Sequence, residues 1–128
     1  AIASFYMIVS GVVGGLMAAI FGLIDWLALP RYSRAKRIGA WHGLGNFAIV
    51  VLFAVTAWLR SGKANFAPTR LATLLSSVGF GLALITSWIG GELVYRLGVG
   101  VDQGANVNAP SSLIHPTTAN PTRRMTER

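Results

Sequence analysis

Three ionisable side chains, Asp25, His42 and Glu92, lie at the ends of long stretches that otherwise carry no charge. An ionisable group in a membrane segment is costly, and it usually faces a bundle interior or a cavity together with a partner. Asn46 lies one helical turn beyond His42 and adds an amide that both donates and accepts hydrogen bonds. These four side chains are therefore a candidate intramembrane polar cluster.

Four kinds of chemistry suit such a cluster. It can be structural, with the carboxylates and the histidine fastening helix ends to nearby arginines. His42 can be a haem ligand if a partner supplies the second one, because the only other histidine, His115, lies in a polar segment. Asp25, His42 and Glu92 can transfer protons, since desolvation and like charge favour the protonated form of a carboxyl group, or they can bind Zn²⁺. The sequence favours the structural role, because no tight metal motif is present.

The elements that carry these residues are predicted from the distribution of charge. Three stretches contain no Asp, Glu, Lys or Arg, namely residues 1–24, 43–59 and 71–91. A helix needs about 20 mostly apolar residues to cross the hydrocarbon layer, and soluble helices seldom stay apolar on every face for so long. The sequence therefore predicts an all-α integral membrane bundle of three transmembrane helices, at about residues 3–29, 39–59 and 69–96.

The composition excludes several functional classes. Of the 128 residues, 53% are hydrophobic and 12% are charged, whereas a soluble domain averages about 25% charged residues. No cysteine is present, which excludes disulfides, iron–sulfur clusters and a thiol nucleophile. The sequence also lacks a phosphate-binding glycine loop and a serine in a triad motif, and three spans cannot form an inverted repeat. We therefore expect neither an enzyme nor a self-contained transporter, and no soluble substrate is identified.

The ends of the predicted helices have local causes. Pro30 is expected to end the first helix, and the basic run Arg31–Arg37 is expected to be an interfacial loop. Pro68 lies near a favoured first-turn position of the third helix. Two regions result: a transmembrane domain at residues 1–97 and an extended or disordered polar tail at residues 98–128.

The basic residues predict the orientation of the chain. The loop after the first helix and the segment after the third hold eight of the eleven Lys and Arg residues, and the loop after the second helix holds three. The positive-inside rule then places the first loop and the tail in the cytoplasm. The net charge of +7 is interpreted as a topology and lipid-headgroup signal rather than nucleic-acid binding. The basic residues assigned to the membrane interface are Arg31, Arg34, Lys36, Arg37 and Arg96.

Small residues line the first helix at spacings that permit close packing. Gly11 and Gly15 form a G-x-x-x-G pair, and Ala19 and Gly22 continue that face. Because lipid is as apolar as the side chains, close approach along small residues replaces the hydrophobic drive for helix association. Two interpretations stay open: packing within the chain, and docking of this face onto another subunit.

Three segments resemble a known family, the bacterial predicted membrane proteins called domain of unknown function 2231. They are Gly22–Trp26, Arg37–Asn46 and the Gly-Gly-Glu-Leu-Val-Tyr run that ends in Gly-Val-Gly-Val, at residues 90–101. The resemblance covers about residues 3–101. It implies a four-helix protein whose first span opens near a His-Pro, and by that resemblance this chain is expected to lack the first helix. It also places Asp25, His42, Asn46 and Glu92 on polar positions of the family. Some members of the family are joined to Rieske-type or cytochrome c modules, so the resemblance implies an association with electron-transfer chains.

Together these features predict a non-catalytic accessory or structural subunit of a larger respiratory or photosynthetic complex in the bacterial inner membrane. Its expected partners are the lipid bilayer and other membrane subunits, without nucleic acid. No cofactor is expected, although contacts with bound lipid or pigment are compatible with the sequence. The alternative is a haem- or quinone-associated electron-transfer subunit, in which His42 would hold haem b.

Overall fold

The computed structural model describes residues 1–102 and 104–111, and over those residues it is helical without strands. Three helices are long and apolar enough to cross a membrane, which confirms the predicted fold class. The predicted tail lies largely outside the described residues, as does His115. The elements in chain order are α1 (Ile2–Ala28), α2 (Arg34–Ser61), a 3₁₀ turn (Ala64–Phe66), α3 (Arg70–Gly91) and a π-helical turn (Glu92–Arg96).

The first loop is shorter than the sequence predicted. Helix α2 begins at Arg34 rather than near residue 39, so the expected loop Arg31–Arg37 was wrong over its second half. The cause is Ser33, whose hydroxyl accepts a hydrogen bond from the backbone N–H of Lys36 at 3.0 Å and so caps the new helix. Thr69 caps α3 in the same way, with a 3.1 Å bond from the N–H of Ala72.

The three helices form a layer in which α2 is central. Helix α2 packs along both α1 and α3, whereas α1 and α3 make at most marginal contact with each other over the described residues. This arrangement differs from a closed bundle, in which every helix would touch both others. One consequence is that α1 has no buried residue.

Glycines set the close approach of the helices. A Cβ at Gly15 would lie 2.9 Å from Cγ2 of Val50 on α2, and one at Gly39 would lie 2.9 Å from Cδ1 of Trp26 on α1. Between α2 and α3, a Cβ at Gly45 would collide with Thr86 and one at Gly90 with His42, and one at Gly79 would lie 3.1 Å from the ring of Phe53. Small residues thus allow backbone approach along both seams, as expected for helices packed in lipid.

Few side chains are buried inside the chain. Among the described residues the buried apolar ones are Ala72 and Leu93, whereas large apolar side chains are exposed along all three helices. Exposed apolar area on this scale is unfavourable in water and ordinary in a bilayer. The exposed apolar surface of the three helices is therefore suited to contact lipid.

Candidate functional site

His42 links α2 to α3. Its Nδ1 lies 2.9 Å from the carbonyl oxygen of Thr86, and its Nε2 lies 3.0 Å from the amide nitrogen of Asn46. A carbonyl oxygen only accepts, so Nδ1 carries the proton and, in the neutral ring, Nε2 accepts from the Asn46 amide. Gly90 leaves room for the ring, since a Cβ there would lie 2.9 Å from its Cε1. This histidine therefore serves as a bridge between two helices.

The same geometry bears on the haem and zinc hypotheses. Iron binds an imidazole through a ring nitrogen with a free lone pair. A bond from Nδ1–H to a carbonyl is common in histidines that bind metal, whereas the lone pair of Nε2 in His42 accepts from Asn46, so Nε2 would have to lose that bond before it bound iron. No group of three His, Asp or Glu side chains within the described part of the chain is placed to hold a metal ion.

Glu92 forms a separate charged group at the end of α3. Its Oε1 accepts a 2.7 Å hydrogen bond from Nη2 of Arg34, and its Oε2 lies 3.6 Å from Nε of Arg96. The Glu92 side chain is 21% exposed, which is less than either of its two arginine partners. Glu92 therefore connects the first turn of α2 to the π-helical turn, with two of the arginines that the sequence suggested as partners.

Asp25 stands apart from both groups. It lies on the exposed side of α1, and its carboxylate has no hydrogen bond or ion pair with any described residue. The four predicted residues thus fall at the same end of the layer in three places: His42 with Asn46, Glu92 with its arginines, and Asp25 alone. The central position of α2 accounts for this separation, because it keeps α1 away from α3.

Lys36 fastens the end of α1 to the start of α2. Its ammonium donates to the backbone carbonyls of Trp26, Leu27 and Leu29, and it lies 4.1 Å from the centre of the Trp26 indole ring. The indole N–H in turn donates to the carbonyl of Lys36 at 2.9 Å. A cation at a helix C-terminus satisfies free carbonyls and complements the helix dipole.

Arg60 joins several segments of the chain, which the sequence interpretation did not predict. It is 3% exposed, and it lies at the opposite end of the layer. Its Nε donates to the carbonyl of Phe66 at 2.9 Å, and its Nη2 donates to the carbonyl of Ala1 and the hydroxyl of Ser4, each at 2.9 Å. The sequence showed only a basic residue at the end of a span, because its acceptors are backbone groups that no pattern marks.

The small residues of α1 differ in whether they contact another part of the chain. Gly15 faces Val50, whereas Gly11, Gly14 and Gly22 have no atom of another part of the chain where a Cβ would lie. Ala19, like these three, is exposed. Gly15 of the G-x-x-x-G pair is therefore used inside the chain, and Gly11 contacts no other part of the chain.

Comparison with known proteins gives one match. A family model described as "Predicted membrane protein (DUF2231)" matches residues 1–103. No curated protein matches, and no solved structure matches. The match covers all three spans and both groups of polar side chains described above.

Proposed function

The chain belongs to the DUF2231 family of predicted membrane proteins, and from that premise we propose that it is a non-catalytic accessory subunit that docks onto another membrane subunit through α1. The observation that carries the proposal is the outward glycine face of α1. Gly11, Gly14 and Gly22 have open space where each Cβ would be, on a helix with no buried residue. Small residues on the surface of a membrane helix let the backbone of a second helix approach closely and so favour helix association.

Asp25 adds a polar feature to the same side of α1. Counting from Gly11, the steps to Gly14, Ala18, Gly22 and Asp25 are three or four residues, which places all five along one stripe of the helix. A carboxylate without a partner near the end of a membrane span is costly, and a cationic group on a neighbouring helix would relieve that cost. The docking partner proposed here is therefore a transmembrane helix with a basic residue at this level.

The absence of catalysis is proposed from the state of the polar groups. His42, Glu92 and Arg60 each make contacts that join one helix to another part of the chain, and Asn46 bonds His42 within α2. The electron-transfer alternative would need His42 to release a hydrogen bond before it could bind iron. The proposed setting, an electron-transport complex of the bacterial inner membrane, is what the sequence resemblance implies.

Gly11→Leu tests the docking face. The variant is expected to keep the fold, because no atom of another segment lies within 4 Å of a Cβ at this position, and to lose the larger complex, because leucine blocks close helix approach. The measurement is native gel electrophoresis of the protein solubilised from its own membranes in mild detergent. The wild type should migrate in a complex larger than the chain, and Gly11→Leu should migrate as the free chain.

Two further glycines serve as controls for this experiment. Gly81 on α3 also has open space at its Cβ, so Gly81→Leu should leave the complex intact. Gly15→Leu should instead lower the thermal stability of the chain itself, since it strikes Val50. An unchanged complex in Gly11→Leu, or a wild type that migrates as the free chain, would contradict the proposal.

The proposed orientation has a direct test because the chain contains no cysteine. Arg31→Cys in the first loop should react with a membrane-impermeant maleimide in inverted vesicles and not in spheroplasts. Lys63→Cys in the second loop should show the opposite pattern, because three spans place the two loops on opposite sides. Reaction of Arg31→Cys from outside would reverse the proposed orientation.

A further inference from the structure

A groove separates the first turns of α2 from the last turns of α3. It has a volume of about 750 Å³ and opens to the surface of the layer. Its walls are apolar and aromatic, and its rim is charged. The apolar lining comes from Ile38, Trp41, Trp88 and Ile89, and the rim from Arg34, Glu92 and Arg96.

The residues of the groove are of the types found where a bilayer changes from hydrocarbon to headgroups. Trp41 and Trp88 are 67% and 79% exposed, and they lie near the ends of helices that are apolar through their middle. Tryptophan is enriched at that depth because its ring is apolar and its N–H is polar. A molecule in this groove would therefore meet hydrocarbon-like walls and a charged rim at once.

The rim carries one positive charge in excess. Arg34 and Arg96 share the single carboxylate of Glu92, and each arginine touches it through one nitrogen only. A guanidinium has five N–H donors, so most donors of this pair are unused by Glu92. The arginine side chains are 54% and 76% exposed, which leaves those donors accessible.

We propose that this groove is a binding site for an anionic phospholipid. The lipid phosphate binds the free donors of Arg34 and Arg96, since guanidinium groups suit phosphate oxygens geometrically. One acyl chain lies along Trp41 and Trp88. The charge excess selects an anionic headgroup over a zwitterionic one. This site is formed by α2 and α3, so it does not depend on the proposed docking of α1.

Quenching by brominated lipids tests the proposal, because the groove contains two tryptophans that report on an adjacent acyl chain. The full chain is reconstituted in vesicles of phosphatidylglycerol and phosphatidylcholine, with bromine on the acyl chains of one lipid at a time. Brominated phosphatidylglycerol should occupy the groove about fivefold more than brominated phosphatidylcholine at equal mole fraction, as one excess basic charge predicts. The double variant Trp41→Phe/Trp88→Phe should lose this difference, because Trp26 and Trp58 lie outside the groove.

Charge variants separate a specific site from general attraction to the membrane. Arg34→Gln/Arg96→Gln should abolish the preference for phosphatidylglycerol. Arg96→Gln alone should lose most of the preference, and it should disturb the fold less because the Arg96 side chain is more exposed than that of Arg34. Arg31→Gln/Arg37→Gln removes the same charge from exposed residues outside the groove and should keep the preference. Glu92→Gln should increase the preference for phosphatidylglycerol, because it removes the negative charge of the rim. If Glu92 were needed to position the two arginines, the variant would lower the preference.

Three results would overturn the assignment. They are equal quenching by both brominated lipids, equal loss of the preference in the Arg31/Arg37 control, and removal of the preference by millimolar inorganic phosphate. The last result would mean that the rim binds a phosphate group without the acyl chain. Weak quenching of Trp41 and Trp88 by both lipids would be a fourth such result, because no acyl chain would then lie along the groove.

Discussion

Gly45→Ala is expected to lower the free energy of unfolding by about 1–3 kcal/mol, the range for overpacking a tight contact. The new Cβ would overlap the methyl group of Thr86 on α3. Thr86 cannot yield easily, because its side chain is 3% exposed and its hydroxyl bonds the carbonyl of Ala83 at 3.2 Å. The clash would also disturb the backbone carbonyl of Thr86, which holds His42.

The size of this effect is measured by unfolding the detergent-purified protein in sodium dodecyl sulfate, followed by circular dichroism. A paired substitution makes the test specific. Gly45→Ala/Thr86→Ser moves the methyl group from α3 to α2, and it keeps the hydroxyl of residue 86 while leaving its Cβ at an ordinary 3.7 Å. The double variant should recover most of the lost stability. Equal loss in single and double variants would mean that Gly45 matters for another reason than its contact with Thr86.

The existence of three spans could be predicted from charge alone, because a membrane helix must exclude ionised groups over its whole length. The start of α2 could not be predicted in that way. Its first turn contains Arg34, Lys36 and Arg37, which lie at the headgroup level where charge is compatible with helix. The local signal was Ser33, a favoured cap residue, and the charge criterion gives it no weight.

The polar site could be predicted in part. His42 and Asn46 are four residues apart on a helix, so their contact follows from spacing. Glu92 and Arg96 are also four residues apart, so their pairing follows from spacing as well. That Glu92 would also select Arg34 does not follow, since periodicity gives the faces of each helix and not which faces meet. The same reason explains Asp25, which shares the level of the other residues and is separated from them by the order of the helices in the layer.

The third segment of the family resemblance, residues 90–101, has a physical explanation. Gly90 admits the ring of His42, and Glu92 holds the start of α2. Gly98 has a φ of 64°, where glycine is favoured, and it follows a helix end closed by the 2.9 Å bond from the N–H of Val99 to the carbonyl of Leu93. The segment therefore forms part of the contact between α2 and α3 and ends the third span.

Arg60 holds together the other end of the layer, and its three hydrogen bonds span the first turn of α1, the last turn of α2 and the loop before α3. Its bond to Phe66 supports an unusual backbone, because Phe66 has a φ of 53°, a region that bulky residues seldom adopt. Phe66 also stacks on Phe5 of α1, with ring centres 4.1 Å apart. Such a conformation persists only where the surrounding contacts determine it.

Arg60→Ala is therefore expected to lower the free energy of unfolding by about 2–4 kcal/mol, since it removes several hydrogen bonds from a charged donor at once. Arg60→Lys should recover little of the loss, because an ammonium group lacks the planar fork that reaches acceptors in two segments at once. Arg70→Ala removes the same charge from an exposed residue at this end and should change stability little. The same detergent unfolding measurement compares the three variants. If Arg60→Lys matched the wild type, the positive charge alone would account for the stability, and the geometry of the guanidinium would not.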